Sequence, residues 1–305
     1  MLRILYGTAG TGKSAAIMDE IRRGADSGER YILLVPEQYS HEAERELCAV
    51  CGDGLSLYAE VLSFTGLARE ISSECGGAAN EYLDKGGRLL CMALAADGLY
   101  SRLRVYGAAR RKAELQTMLL GAVDEFKSAC VTGERLMQAS EACEGALGDK
   151  LHDLGLILEA YDGVVANGRA DPSDRLSVLA QQIGQCSMSE RTHVFVDGFT
   201  DFTAQERRVL EALLSKGVCL TVCLGCDELH GGSEVFALSR ITASALLKFA
   251  ADNGIKAQTE RFGGESTKAK PLGEFAENMF SYRAVEAGDA QGRIKIISAA
   301  DTNAE

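Results

Sequence analysis

The chain has 305 residues, 46% of them hydrophobic and 25% charged, which is enough for about two globular domains. Its longest apolar runs, such as 32–35, are far too short to span a bilayer, and Met1 leads straight into a strand pattern, so we predict a cytoplasmic protein without a membrane segment. The net charge of −12 argues weakly against a nucleic-acid partner, because a local groove can still bind one.

The N-terminal 80 residues alternate between predicted strands at 2–6, 31–35 and 55–62 and predicted helices at 14–23, 42–51 and 64–75. From about 81 to 185 helix follows helix, and the expected helices are 85–96, 108–131, 133–144, 150–167 and 175–183. Alternation resumes with strands at 194–196, 218–224, 255–261 and 293–298 and helices at 204–215 and 239–253. Such alternation predicts an α/β fold, a parallel sheet covered on both faces.

A glycine-rich segment follows the first predicted strand. Residues 7–14 read G-T-A-G-T-G-K-S and match G-x-x-x-x-G-K-[ST] between a strand and a helix, where a chance glycine turn is the alternative. In such a P-loop the backbone N–H groups surround phosphates, the lysine reaches the β and γ phosphates and the serine ligates Mg²⁺. We therefore predict an ATP site made of Gly7, Thr8, Ala9, Gly10, Thr11, Gly12, Lys13 and Ser14.

A second carboxylate for the metal is expected at the end of another buried strand, and the run H-V-F-V-D at 193–197 supplies it. We predict Ser14 and Asp197 as the Mg²⁺ ligands; otherwise Asp197 merely caps a turn. Because Lys13 and Asp197 must meet at one ion, the sheet must take strands from both sides of the helical segment. This predicts a sheet domain of residues 1–80 and 190–305 and an inserted all-helical domain of residues 81–189.

The segment D-G-F-T-D-F-T-A-Q-E at 197–206 resembles a motif of UvrD-like superfamily 1 helicases, which runs Asp-Glu-Phe-Gln, then Asp-Thr-Asn and a later Gln. Gly198 stands where active members carry the glutamate that polarises the attacking water. Since glycine cannot act as a base, the resemblance implies a RecA-like sheet that binds ATP but hydrolyses it slowly or not at all, with no catalytic residue assigned. Glu206 is the nearby candidate for a replacement base.

Two other segments resemble DNA-contacting loops of the same helicases, L-L-V-P-E-Q at 33–38 and V-L-S-F-T-G-L-A-R at 61–69. Together with the Asp-Gly-Phe-Thr variant and D-P-S-D-R-L at 171–176, they resemble the AddB family of bacterial helicase-nuclease subunits. The resemblance implies DNA contacts at Glu37, Gln38, Ser63, Phe64 and Thr65. For Glu37, Gln38, Ser63 and Phe64, packing of strand ends and helix capping are the alternative roles.

The resemblance also implies work in double-strand break repair and recombination, on single- and double-stranded DNA, in a heterodimer with a catalytic AddA-type subunit. In that family the nuclease domain, an iron–sulfur cluster and the second motor domain lie further along the chain. We therefore expect the protein to continue past Glu305, this segment not to translocate alone, and none of the ten cysteines to ligate a cluster. Most cysteines are expected to be small core residues and not zinc ligands.

Two other functions remain open from sequence, a P-loop kinase whose helical insertion closes over a small substrate, and a scaffold with a vestigial P-loop. A further open question is the basic stretch 102–112, which contains five Arg or Lys residues and no acid, with Tyr100 and Tyr106 nearby. Such a stretch can follow a phosphate backbone. It is more often a solvated helix face or loop.

Overall fold

The computed structural model describes residues 1–52, 54–76, 82–263, 270–278, 295 and 297–300. Its six described strands form one sheet, all parallel, in the order β3-β2-β4-β5-β1-β6. The strands are β1 (Leu2–Gly7), β2 (Arg30–Leu34), β3 (Ala59–Leu62), β4 (Thr192–Val196), β5 (Cys219–Gly225) and β6 (Ala257–Arg261).

Helices surround this sheet and fill the segment between β3 and β4. They are α1 (Lys13–Arg23), α2 (Ser40–Cys51), α3 (Phe64–Glu74), α4 (Lys85–Gly98), α5 (Ala113–Ser128), α6 (Gly133–Glu141), α7 (Ala146–Val165), α8 (Arg175–Gln182), α9 (Ala204–Ser215), α10 (Ala237–Asp252) and α11 (Lys270–Asn278). The predicted α/β fold is confirmed. None of the described helices is long and apolar enough to cross a membrane.

The four inner strands β2, β4, β5 and β1 are largely buried on both faces, as a parallel sheet requires, whereas the edge strand β6 is exposed. On one face Leu2 and Ile4 of β1 join a core that includes residues of α3, α8, α9 and α10. On the other face Leu5 packs with Ile17 and Ile21 of α1 and with residues of α2. Because successive side chains of β1 point to opposite faces, each face of the sheet packs against its own set of helices.

The helices between β3 and β4 have a core of their own. It is centred on Tyr161 of α7, which is 0% exposed, and includes residues of α4, α5 and α6. Leu179 of α8 and Ile183 instead belong to the sheet core, and α8 packs on α3 and α9. The last part of the predicted insertion therefore lies against the sheet.

Many predicted boundaries shift by a few residues, and two elements change more. The pattern predicts one strand over 55–62, but Leu55–Leu57 is a 3-10 helix and only Ala59–Leu62 is extended. The turn before it is set by Gly52, whose φ of +74° favours glycine. The helix expected at 108–131 begins only at Ala113. The strand expected at 293–298 lies largely outside the described residues.

Candidate nucleotide site at the carboxyl edge of the sheet

The glycine loop and Asp197 lie at the same edge of the sheet. β1 and β4 are separated by one strand, β5, and all three are parallel, so their carboxyl ends face the same way. In register, Cys223 of β5 lies beside Leu5 of β1, and Val196 of β4 lies beside Val222. Asp197 follows Val196 directly. Two strand spacings separate β4 from β1, about 10 Å.

The P-loop has the backbone that its glycines suggest. Gly10 and Gly12 have φ of +85° and +89°, and Gly12 is the N-cap of α1, whose first turn contains no acid. A Cβ on Gly7 would lie 2.3 Å from the Phe262 carbonyl oxygen, so a side chain does not fit there. The result is a glycine turn opening onto a helix N-terminus, an arrangement that favours anions.

The Lys13 ammonium is held inside this loop. Its Nζ donates to the carbonyl oxygens of Gly7 (2.7 Å) and Thr8 (2.9 Å). Burial lowers the pKa of Lys13, and nearby Cys223 and Asp197 only partly oppose that effect. Burial likewise raises the pKa of the Cys223 thiol. Lys13 is thus a poorly solvated cation near Asp197, which favours an anionic ligand. The side chain of Ser14 is exposed next to it.

The turn after Asp197 depends on Gly198. The backbone N–H of Gly198 donates to Oδ1 of Asp197 at 2.9 Å, and Gly198 has a φ of +80°. A Cβ at this position would lie 3.3 Å from Cδ of Pro36. Position 198 therefore lacks a carboxylate and also has a backbone that other residues rarely adopt.

Glu206, the candidate replacement base, has a structural role. Its Oε2 accepts from the Thr203 backbone N–H at 2.8 Å and from Thr203 Oγ1 at 2.9 Å. The Thr203 hydroxyl in turn accepts from the Glu206 N–H, which completes a capping box at the start of α9. The carboxylate is engaged in starting this helix.

The five residues predicted to contact DNA also lie at the carboxyl edge, since they follow β2 and β3. Glu37, Gln38 and Thr65 are exposed. Ser63 is buried as the N-cap of α3 and accepts from the Gly66 N–H at 3.1 Å. Phe64 is only 6% exposed. For Ser63 and Phe64 the structure supports the alternative roles of capping and packing.

The ring of Phe64 packs edge-on against Phe199 and Phe202, with centroids 5.5 and 6.3 Å away. These contacts join the start of α3 to the turn after Asp197. Neither this aromatic cluster nor the closeness of Pro36 to position 198 is predictable from the sequence motifs. The position of Cys223 beneath the loop could have been predicted from the period-2 pattern of the fifth strand.

A parallel sheet of this order, with a glycine loop after β1 and an aspartate after β4, defines the RecA-like class of P-loop fold. A family model described as "ADDB, N-terminal" matches residues 4–275. The chain therefore belongs to the family of AddB N-terminal regions.

Known relatives are named as the B-type subunit of an ATP-dependent helicase/deoxyribonuclease. The protein from Desulforudis audaxviator is 35% identical over 266 residues, 84% of this chain and 23% of the relative. The protein from Acetivibrio thermocellus is 29% identical over 284 residues, 91% of this chain and 24% of the relative. The protein from Heliobacterium modesticaldum is 35% identical over 267 residues, which are 83% of this chain and 22% of the relative. The chain spans about a quarter of the length of these relatives.

Proposed function

We propose that this chain is the nucleotide-binding N-terminal region of a subunit of an ATP-dependent helicase/deoxyribonuclease. In this proposal the whole protein acts on single- and double-stranded DNA in double-strand break repair and recombination, in the cytoplasm, beside an AddA-type catalytic subunit. Family membership and the names of the relatives support it. The observation that carries it is the P-loop and Asp197 at one edge of a parallel sheet.

ATP would be held by the loop Gly7, Thr8, Ala9, Gly10, Thr11, Gly12, Lys13 and Ser14. The positive φ of its glycines and the poorly solvated Lys13 ammonium fit a polyphosphate. Ser14 and Asp197 are the residues that would hold Mg²⁺, which supplies charge neutralisation at the phosphates when bound. On this assignment the chain binds and orients the nucleotide through Lys13 and the N-terminus of α1.

We further propose that hydrolysis at this site is slow. A positioned general base contributes roughly 10²–10⁴-fold to the rate. Gly198 has no carboxylate, and that of Glu206 is engaged in the capping box. The chain's own residues would then bind ATP without activating the attacking water.

The DNA contacts in this proposal come from Glu37, Gln38 and Thr65, which are exposed at the carboxyl edge. We also propose the division into a sheet domain, 1–80 with 190–305, and a helical domain within 81–189. The separate core around Tyr161 supports a helical domain. The packing of α8 on the sheet favours a helical domain that ends before Arg175.

The kinase alternative requires accessible catalytic charges in the helical segment. A cluster that contains both acid and base is formed there by Arg88, Lys127 and Asp171, but these are 11%, 7% and 0% exposed and paired with one another or with neighbouring acids. Such internal pairing leaves them poorly suited to a substrate. The accessible charges of residues 102–112 are all basic and include no acid.

Turnover of Mg-ATP, with and without single-stranded DNA, tests the proposal. We expect phosphate release roughly 10²–10⁴-fold slower than in a motor that has the glutamate, with little stimulation by DNA. Robust DNA-stimulated hydrolysis that disappears in Lys13→Ala would contradict the slow-hydrolysis assignment. Transfer of phosphate to a small acceptor would instead support the kinase.

A further inference from the structure

The basic stretch 102–112 is a defined loop, not a helix face. It joins α4 to α5 and contains only a short 3-10 helix, Gly107–Ala109. Its backbone is anchored by Asp153 of α7, a carboxylate with 0% exposed side chain. Asp153 accepts from the backbone N–H groups of Arg104 (2.9 Å), Val105 (2.7 Å) and Tyr106 (3.1 Å).

These bonds make Asp153 a fixed, ionised anchor. Burial would raise the pKa of Asp153, but the three backbone hydrogen bonds, together with the neighbouring His152 ring, outweigh it and the pKa lies below its usual value. Because the anchoring uses only backbone groups, the basic side chains of the loop are free to face outward. The loop thus exposes a set of cationic side chains on a backbone that is hydrogen-bonded to Asp153.

The cations of this loop are accessible. The side chains of Arg104 and Arg111 are 54% and 75% exposed and pair with the exposed carboxylates of Asp149 and Asp97, respectively. Arg102 and Lys112 are exposed too, and neither has a carboxylate partner among the residues that the structure describes. Exposed ion pairs are weak, so a polyanion can displace them. In a chain of net charge −12 this loop is a local concentration of positive charge.

An aromatic ring lies beside these cations. Tyr100 is 55% exposed, and the guanidinium of Arg110 lies 3.8 Å from its ring centroid. Arg110 also donates to Oδ1 of Asp97 and to the Gly107 carbonyl oxygen, both at 3.1 Å. One face of the ring is therefore covered by a cation, while more than half of the residue's surface remains exposed. An exposed ring among basic side chains suits an unpaired base next to its phosphates.

We propose that the loop 99–112 is a binding surface for single-stranded nucleic acid, in which Arg102, Arg111 and Lys112 contact phosphates and Tyr100 stacks on a base. This proposal rests on the proposed function for its choice of DNA as the polyanion. It adds a site in the helical segment, distinct from the carboxyl edge of the sheet.

The test is fluorescence anisotropy of a labelled oligo-dT strand, titrated at several salt concentrations. In Arg102→Gln/Arg111→Gln/Lys112→Gln we expect weaker binding and a salt slope smaller by about 2, since each phosphate contact to a single strand contributes about 0.7. The control is Arg22→Gln/Arg23→Gln/Lys248→Gln, which removes the same charge elsewhere. We expect the control to bind as the wild type does. Thermal unfolding verifies that both variants are folded.

A second variant separates stacking from charge. Tyr100→Ala should lower the affinity for the single strand about 5-fold or more and leave the affinity for a blunt duplex unchanged, because duplex bases cannot stack on the ring. Equal loss for strand and duplex would overturn the stacking role.

The outcomes distinguish this proposal from the proposed function. If the wild type binds DNA and the loop variant binds equally well, or if the control variant loses as much, the loop proposal is overturned and the proposed function stands. If the wild type binds no DNA, both the loop proposal and the DNA contacts of the proposed function are overturned, and nucleotide binding is judged separately. A polyglutamate peptide that binds as tightly as oligo-dT and depends on the same side chains would overturn it in favour of an acidic protein.

Discussion

Gly198 lacks the carboxylate that a general base needs, and it also has a backbone conformation that favours glycine. Its φ of +80° costs other residues about 1–2 kcal/mol, and a Cβ would press on Pro36. We therefore predict that Gly198→Glu lowers the free energy of unfolding by about 1–2 kcal/mol and does not raise ATP turnover. Denaturant unfolding and a phosphate-release assay measure the two effects.

The control for this change is Gly121→Glu, in the middle of α5, where a Cβ meets nothing within 4 Å. That variant should be neutral or more stable, because glycine is a poor helix former. A Gly198→Glu variant as stable as the wild type with clear ATP turnover would show that the turn adapts and only the carboxylate was missing.

At this scale the sequence predicts some residues well and others poorly. Lys13 and Asp197 could be placed at one edge because strand, loop and helix patterns fix their direction. Phe64 could not be assigned, since its burial depends on Phe199 and Phe202, more than 130 positions away. A motif identifies the residue types at each position, but it does not show which of those side chains are buried by residues far away in the sequence.

Among the elements, the loop before α5 departs most from expectation. Periodicity extends α5 back to residue 108, yet the helix begins at Ala113. The chain just before this segment is held by Asp153 of α7, about 50 positions away, which accepts from the backbone N–H groups of residues 104–106. A local pattern carries no information about that carboxylate.

Asp153→Asn tests this anchor. We predict a loss of about 2 kcal/mol in the free energy of unfolding at neutral pH, because hydrogen bonds to a charged acceptor are lost. Since the pKa of Asp153 is lower in the folded state, the stabilisation is present above about pH 4 and disappears as the pH falls through the folded-state pKa. Unfolding of both proteins from pH 7 to pH 3 gives the difference.

The matched control is Asp149→Asn, one turn earlier on α7, where the carboxylate is 45% exposed and pairs with Arg104. It should change stability by less than about 0.5 kcal/mol. An Asp153→Asn loss that stays constant down to pH 3 would mean that shape, and not charge, sets the loop.

For the whole molecule, the order of the sheet explains why segments far apart in the chain share one site. β1 and β4 come from opposite sides of the helical segment, and the alternation of strands and helices predicts this arrangement. The contact between the helical segment and the helices that pack on the sheet could not be predicted. There Nε2 of Gln205 in α9 donates to the Ser173 carbonyl oxygen at 2.9 Å.

Ser173 lies beside an ionic cluster of which Lys127 and Asp171 are buried. Nζ of Lys127 lies 2.8, 3.1 and 2.7 Å from carboxylate oxygens of Asp162, Asp171 and Asp174. Burial would raise the pKa of Asp171, but the Ser173 N–H and the charges of Lys127 and Arg88 keep it below its usual value. The cluster ties α5 and α7 to the turn that leads into α8.

We predict that Lys127→Met lowers the free energy of unfolding by about 1–3 kcal/mol, because buried Asp171 loses one of its two cations. Asp162 and Asp174 contribute less, since they are 51% and 40% exposed. The exposed Lys248→Met is the control and should be close to neutral. Denaturant unfolding compares them. If Lys127→Met is as stable as the wild type, water or a rearrangement replaces the Lys127 ammonium. The cluster then does not stabilise the contact between α5, α7 and the turn before α8.

Equilibrium binding of Mg-ATP, measured by calorimetry, tests the central claim most directly. We predict saturable, magnesium-dependent binding by the wild type, weakened roughly 10–100-fold in Lys13→Ala, since a charged hydrogen-bonding group contributes about 1.5–3 kcal/mol. Lys248→Ala should bind as the wild type does. Absence of binding, or binding that Lys13→Ala leaves unchanged, would contradict the assignment of this edge of the sheet as a nucleotide site.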